Sequence, residues 1–322
     1  MTELISIITS FGLFALIMFI FTKEEWDYVS AAIVIAFISV LFVIIFVPDL
    51  ATWPEGTGDS VSSKLFSFTG FVEFDALIFL ICMQIIINMA EKSKLFQWLV
   101  LKVLHITKGN HRLFFYFICA VSCFSASIVS DITVAIILVP LVIRAAKILD
   151  INPAPYLYGI SFTINIGSLY TPFSSAENIL ISSVYNLDFA WFSSRFTILI
   201  IVLLVATLGL LDFFMLRHEE PPLEERKKII LKVMDPEIVI IDKSQFRKNM
   251  VLFIAIIACL VIFPWAYIVA LVGAPIFALV NKEQFTDLLK DIDWKVIVFL
   301  VAIMVTIGTM DINGTFNYIG QW

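Results

Sequence analysis

The chain has 322 residues, of which 61% are apolar and only 15% charged, with a net charge of −6. A soluble domain carries about 25% charged residues, so a water-soluble globular protein is excluded. No Lys/Arg-rich arm and no Gly-rich loop is present, which leaves nucleic acid and nucleotides without a recognition element. The apolar residues fall in runs near the 20 or so that a helix needs to cross a hydrocarbon core of about 30 Å. The composition therefore predicts an all-α, polytopic integral membrane protein, with the lipid bilayer as its solvent.

The first run, Leu4–Phe21, lacks a basic leader and a small-residue cleavage site, and reads as a span and not a signal peptide. The second is Tyr28–Val47. The Pro/Gly-rich segment 48–71 then reads as an external loop. A third span covers Phe74–Ala90. The stretch 91–112 is basic, and Leu95, Trp98, Leu99, Leu101 and Leu104 give it an apolar side, so an interfacial amphipathic helix is expected. Two apolar runs follow, Leu113–Val129 and Ile132–Leu149, parted only by Ser130 and Asp131. The next run, Tyr156–Tyr185, is interrupted by "NIGSLYTPFSSAEN", and Phe196–Leu216 follows it. Residues 217–249 mix eight Lys/Arg with seven Asp/Glu and read as a solvated loop. The last runs are Met250–Phe263, Ala266–Val280 and Trp294–Met310. Lys/Arg placement puts the 91–112 and 217–249 segments in the cytoplasm. Cys82, Cys119, Cys123 and Cys259 lie in apolar runs without metal-site spacing and read as small buried side chains.

Residues 72–98 and 292–318 align without a gap at an offset of 220. Phe79, Leu80, Ile87 and Phe96 meet Phe299, Leu300, Ile307 and Phe316, and Glu73 and Glu91 meet Asp293 and Asp311. Seven apolar runs separate the two starts. That odd number turns the second copy over, giving the inverted-repeat arrangement of secondary transporters. The resulting divisions are 1–71 (N-terminal spans), 72–216 (first repeat), 217–249 (loop) and 250–322 (linker spans and the opening of a second repeat). The expectation is that the remainder of that repeat lies outside this chain, with a complementary second-half chain or a homodimer as the partner.

Two polar breaks interrupt the first repeat. A charge at mid-bilayer costs at least about 2.5–3.5 kcal/mol, and backbone freed from a helix must be satisfied. At the first break, Ser130-Asp131-Ile132-Thr133, Ser and Asp suit the start of a new helix. Its N–H groups suit an anion, whereas Asp131 suits Na⁺ or a proton; a plain hairpin turn with a buried cap is the alternative. At the second, Asn165 and Gly167 permit departure from helix, and Thr171-Pro172 removes a helix hydrogen bond. Ser174, Ser175, Glu177 and Asn178 then restart a helix. Unwound carbonyls suit a cation and the restarted end an anion; a kinked helix with a packed polar side is the alternative.

The stretch from Ser125 to Ile181 resembles the ion transporter superfamily of arsenite permeases, sodium–proton antiporters and di/tricarboxylate carriers. Ser130-Asp131-Ile132-Thr133 is similar to its hairpin tip, and Asn165-Ile166-Gly167, Thr171-Pro172 and Asn178 to its second element. "MAEKSKLFQW" is similar to another family segment. Ser174-Ser175-Ala176-Glu177 departs from the usual Gly and Pro residues. The resemblance implies a secondary transporter of an inorganic ion or oxyanion, coupled to H⁺ or Na⁺, with no other cofactor. It implies Asp131 as the coupling carboxylate. The ligand shell would be Ser130, Thr133, Asn165, Gly167, Thr171, Pro172, Ser174, Glu177 and Asn178, with Na⁺ at Asp131 and Asn165. A Na⁺-coupled citrate-type carrier is the alternative, and a non-transporting membrane fragment another. An embedded enzyme is not expected, because His105, His111 and His218 all lie outside the spans.

Overall fold

The computed structural model describes residues 2–23, 26–46, 60, 64, 67–128, 131–172, 174–185, 187, 189–219, 221–233, 235–238, 240, 242–263, 265–315 and 318. All regular structure in them is helical. Five helices are long and apolar enough to cross a membrane: Tyr28–Phe46, Phe74–Lys92, Phe189–His218, Lys243–Ile262 and Trp294–Ile312. A sixth span arises if Ala266–Asn281 and Phe285–Asp291, bent by 116° at their junction, count as one.

The chain divides into two compact units, residues 1–77 with 293–322, and 78–292. The first contains α1 (Thr2–Phe21), α2 (Tyr28–Phe46), a 3₁₀ turn at Phe68–Phe71 and α14 (Trp294–Ile312). Its core gathers Ile17, Ile20, Ala32, Ile35, Ala36, Ala302 and Ile303. The Tyr28 and Phe299 rings meet edge to face at 5.3 Å. Gly308 is small because a Cβ there would lie 2.3 Å from Cγ of Phe71. Just past α14, Asn313 Nδ2 donates to Ser10 Oγ at 2.7 Å and to the Ser6 carbonyl at 3.3 Å, so two buried serines of α1 gain a partner.

The second unit runs from α3 (Phe74–Lys92, its first turn lying in the other unit) through α4 (Leu95–Ile106), α5 (His111–Ala126), α6 (Asp131–Leu149), α7 (Ala154–Gly167) and α8 (Ala176–Tyr185). It continues with α9 (Phe189–Phe214), α10 (Glu224–Val233), α11 (Lys243–Ile262), α12 (Ala266–Asn281) and α13 (Phe285–Leu288). Much of α9 is apolar and exposed, including Ile198, Ile201, Val202 and Val205. That is the pattern of a helix facing hydrocarbon.

The two aligned segments have equivalent structure. Both helices, Phe74–Lys92 and Trp294–Ile312, begin and end at positions 220 apart. Each follows a short 3₁₀ turn, Phe68–Phe71 and Leu289–Asp291. Each is followed by a left-handed residue at the same place, Lys94 (φ 62°) and Gly314 (φ 74°). Position 93 repeats the polar link of position 313: Asn249 Nδ2 of α11 donates to Ser93 Oγ at 2.6 Å. In both units, then, the residue closing the repeated helix bonds to a helix that opens a helix pair, α1 or α11.

Three expectations are corrected. The segment 91–112 does contain a helix, α4, but its apolar side is covered by protein and not by the bilayer. Leu95, Phe96, Val100, Leu101 and Leu104 are buried, and Phe96 meets Phe253 of α11 edge to face at 5.9 Å. The loop 217–249 contains α10, which is seated on α6 with Ile230 buried and Arg226 3.2 Å from Asp150. Its charged composition hides the buried apolar side chain of Ile230. The sharp bend after α12 was not foreseen, although 16 residues make a helix only about 24 Å long.

Candidate functional site

The site region is the succession α5, α6, α7, α8, all within the second unit. Asn110 caps α5 by accepting from the backbone N–H groups of Arg112 (3.1 Å) and Leu113 (3.3 Å). The helix ends at Ala126, Ser127 closes its last turn, and α6 begins at Asp131. α5 and α6 touch each other, and Ser127 and Ile128 lead out of α5 into the connection between them. At 16 residues α5 is about 24 Å long, and α7 and α8 are about 21 and 15 Å, each less than the roughly 30 Å hydrocarbon core.

Small residues hold α7 against α5. Gly159, Thr163 and Gly167 recur every four residues along one side of α7. A Cβ on Gly159 would lie 2.6 Å from Cys119 Sγ, and one on Gly167 would lie 2.1 Å from the Cys123 carbonyl oxygen. Between them the Ser122 and Thr163 hydroxyls lie 2.6 Å apart, both buried. Such stripes of small residues bring helix backbones together in a bilayer, where apolar surface alone gives no preference for protein over lipid.

This contact delivers the end of α7 to the tip of α5. Leaving helical geometry after Gly167 frees carbonyls that must be satisfied, and the restarted helix supplies the donors. Ser174 Oγ donates to the Thr171 carbonyl at 2.9 Å and also to the Ser168 carbonyl. Asn178 Nδ2 donates to Ser168 O at 2.7 Å and Thr171 O at 3.0 Å. Thr171 Oγ1 donates to the Ser127 carbonyl at 2.5 Å, fastening the break to the tip. Thr171 and Ser174 are buried at 3% and 0% exposure, and Pro172 is buried beside them. Replacing Thr171 by Val keeps the shape but orphans the Ser127 carbonyl. A loss of about 1–3 kcal/mol is expected, read as a lower unfolding temperature in detergent; Thr171→Ser should restore most of it.

The sequence-predicted residues therefore separate into two groups. Gly167, Thr171, Pro172, Ser174 and Asn178 come together, and the polar atoms among them serve the chain's own backbone. Asp131 and Thr133 stand half-buried on the first turn of α6. Asn165 is exposed, its Nδ2 donating to the Ser161 carbonyl at 2.8 Å, and Glu177 is exposed in the first turn of α8. Ser130 lies outside the described residues. Ser127 and Ser168 were missed because they act through backbone carbonyls, which no residue type advertises.

Residues 16–322 match the family described as citrate transporter (CitMHS). Among curated relatives, an uncharacterized transporter of Mycobacterium tuberculosis is 21% identical over 271 residues, 83% of this chain and 63% of that protein. The arsenical pump membrane protein of Escherichia coli is 23% identical over 261 residues, covering 78% and 60%. An uncharacterized transporter of Synechocystis is 21% identical over 251 residues, covering 74% and 54%. The chain spans about six tenths of the length of such relatives. The chain belongs to the citrate transporter family, and it is a multi-pass membrane protein of a transporter family, not an enzyme.

Proposed function

We propose that this chain carries the first half-site of a secondary active transporter that moves a small inorganic ion or oxyanion, coupled to H⁺ or Na⁺. The observation that carries the reading is the Thr171–Ser127 bond: it joins the broken helix α7–α8 to the end of α5, and each of these three helices is shorter than the hydrocarbon core. Short paired helices with polar ends, stacked inside a membrane protein, are where transporters bind solutes and ions. In this reading α5 and α6 form a re-entrant hairpin. Ser168, Thr171, Ser174 and Asn178 form the scaffold that keeps the break open. Asp131 carries the coupling ion, with Thr133 one turn away and Asn165 as a further ligand. The matching ends of α3 and α14, with their shared left-handed exit, support an inverted repeat whose second half-site completes the solute pocket.

A second reading, transport of a di- or tricarboxylate, is favoured by the citrate transporter match over residues 16–322. The E. coli arsenical pump membrane protein among the relatives favours the oxyanion. One assay separates them. Proteoliposomes of the complete protein would be offered citrate, succinate or arsenite under an imposed H⁺ or Na⁺ gradient. Accumulation of arsenite without the carboxylates supports the first reading; gradient-driven citrate uptake overturns it in favour of the second. Accumulation of none of the three under either gradient contradicts both.

A further inference from the structure

Away from the helix break, α4, the residues Asp235, Pro236, Glu237 and Ile240, and the start of α11 line an open cleft of about 620 Å³, within the size range of small-molecule sites. Part of the lining is apolar. Trp98 and Phe246 lie with ring centroids 5.6 Å apart, and Met250 continues that part where the uninterrupted apolar stretch of α11 begins. On the same side of α4 as Trp98 lie Lys102 and His105, four and seven residues on, and Arg247 follows Phe246 on α11. The lining sets three cations (Lys102, Lys243 and Arg247) against two carboxylates (Asp235 and Glu237), so its charge is positive by one. Glu237 Oε2 is 2.6 Å from Lys243 Nζ, and Asp235 Oδ1 accepts the Glu237 backbone N–H at 2.9 Å. Lys102 and Arg247 have no ion-pair partner among the described residues, and the His105 Nδ1 atom is buried without a hydrogen bond. Apolar and aromatic side chains at the end of a membrane span, with Lys102, His105 and Arg247 beside them, have the chemistry of the headgroup layer.

We propose that this cleft binds the headgroup of an anionic phospholipid. Lys102, Arg247 and His105 surround the phosphate, and Trp98, Phe246 and Met250 lie against the glycerol and first acyl carbons. A phosphate from solution would satisfy the cations but leave the aromatic side chains unused, which is why a lipid fits better.

The test titrates the purified full chain in detergent with short-chain phosphatidylglycerol, phosphatidylcholine and glycerol 3-phosphate, following bound lipid by native mass spectrometry and the unfolding temperature. Phosphatidylglycerol is expected to bind and to raise the unfolding temperature, and the other two to do neither. Lys102→Gln and Arg247→Gln should each weaken it about fivefold, and about 30-fold together. Lys290→Gln, on an exposed lysine paired with Asp287, should leave it unchanged. Should the double variant not fold, the exposed single change Lys102→Gln decides alone. Unaltered phosphatidylglycerol binding in the variants, or equal binding of phosphatidylcholine, overturns the proposal. An equal effect from glycerol 3-phosphate overturns the lipid assignment.

Discussion

Gly167→Ala is expected to abolish or sharply reduce the yield of folded protein. The added methyl carbon would sit 2.1 Å from the Cys123 carbonyl oxygen and 2.9 Å from its Cα, far inside van der Waals contact. Those are backbone atoms of a packed helix, so no rotamer change relieves the clash, and α7 must move off α5. Overpacking in cores costs about 1–3 kcal/mol and occasionally more, against a total stability of about 5–15 kcal/mol. Displacing α7 also carries Thr171 away from Ser127, adding the loss of that bond. Gly159→Ala meets side chains instead, Cys119 Sγ at 2.6 Å and Phe115 at 2.8 Å, so Cys119→Ala should rescue it partly and should not rescue Gly167→Ala. Gly209→Ala, with nothing within 4 Å, should be neutral. Size-exclusion yield and unfolding temperature in detergent measure all four.

Asp131→Asn is expected to uncouple transport while leaving the fold intact. Asp131 opens α6, where the helix N-terminus favours a negative charge. Asn keeps the size and a carbonyl-type acceptor at the helix start but cannot take up a proton and holds a cation only through its amide dipole, without a charge. Charged hydrogen-bonding partners are worth about 1.5–3 kcal/mol, so the coupling ion should bind about 10- to 100-fold more weakly. Gradient-driven accumulation should fall by at least about tenfold, while exchange of labelled for unlabelled solute continues, because the polar scaffold that holds the break open is made by Ser168, Thr171, Ser174 and Asn178. Glu177→Gln, exposed in α8, provides the contrast and should have the smaller effect.

Helix positions were the most legible part of the sequence. An apolar run from Phe74 to Ala90 became a helix from Phe74 to Lys92, and one from Ala266 to Val280 a helix from Ala266 to Asn281. A bilayer forces every backbone group in a span into helix, so run length dictates structure. The offset of 220 was legible from four identities and two acids, and its counterpart in three dimensions is the common left-handed exit at Lys94 and Gly314. The α10 helix was not legible, because the charges of its segment outweigh the apolar side chains, Ile230 among them, that seat it. Nor were the roles at the break. The polarity of Ser174 and Asn178 announced a special place. Composition does not say whether a polar group faces a ligand or an orphaned carbonyl, and hydrogen-bond geometry assigns these two to carbonyls. The stripe of Gly159, Thr163 and Gly167 was readable by its spacing of four, yet its meaning depends on which helix it meets.

The most direct test of the account is solute accumulation in proteoliposomes of the complete protein, driven by an imposed H⁺ or Na⁺ gradient and normalised to solute exchange, for wild type and Asp131→Asn in parallel. The account predicts that the wild type accumulates solute under one of the two gradients and that the variant exchanges solute without accumulating it. Undiminished gradient-driven accumulation in Asp131→Asn would contradict it.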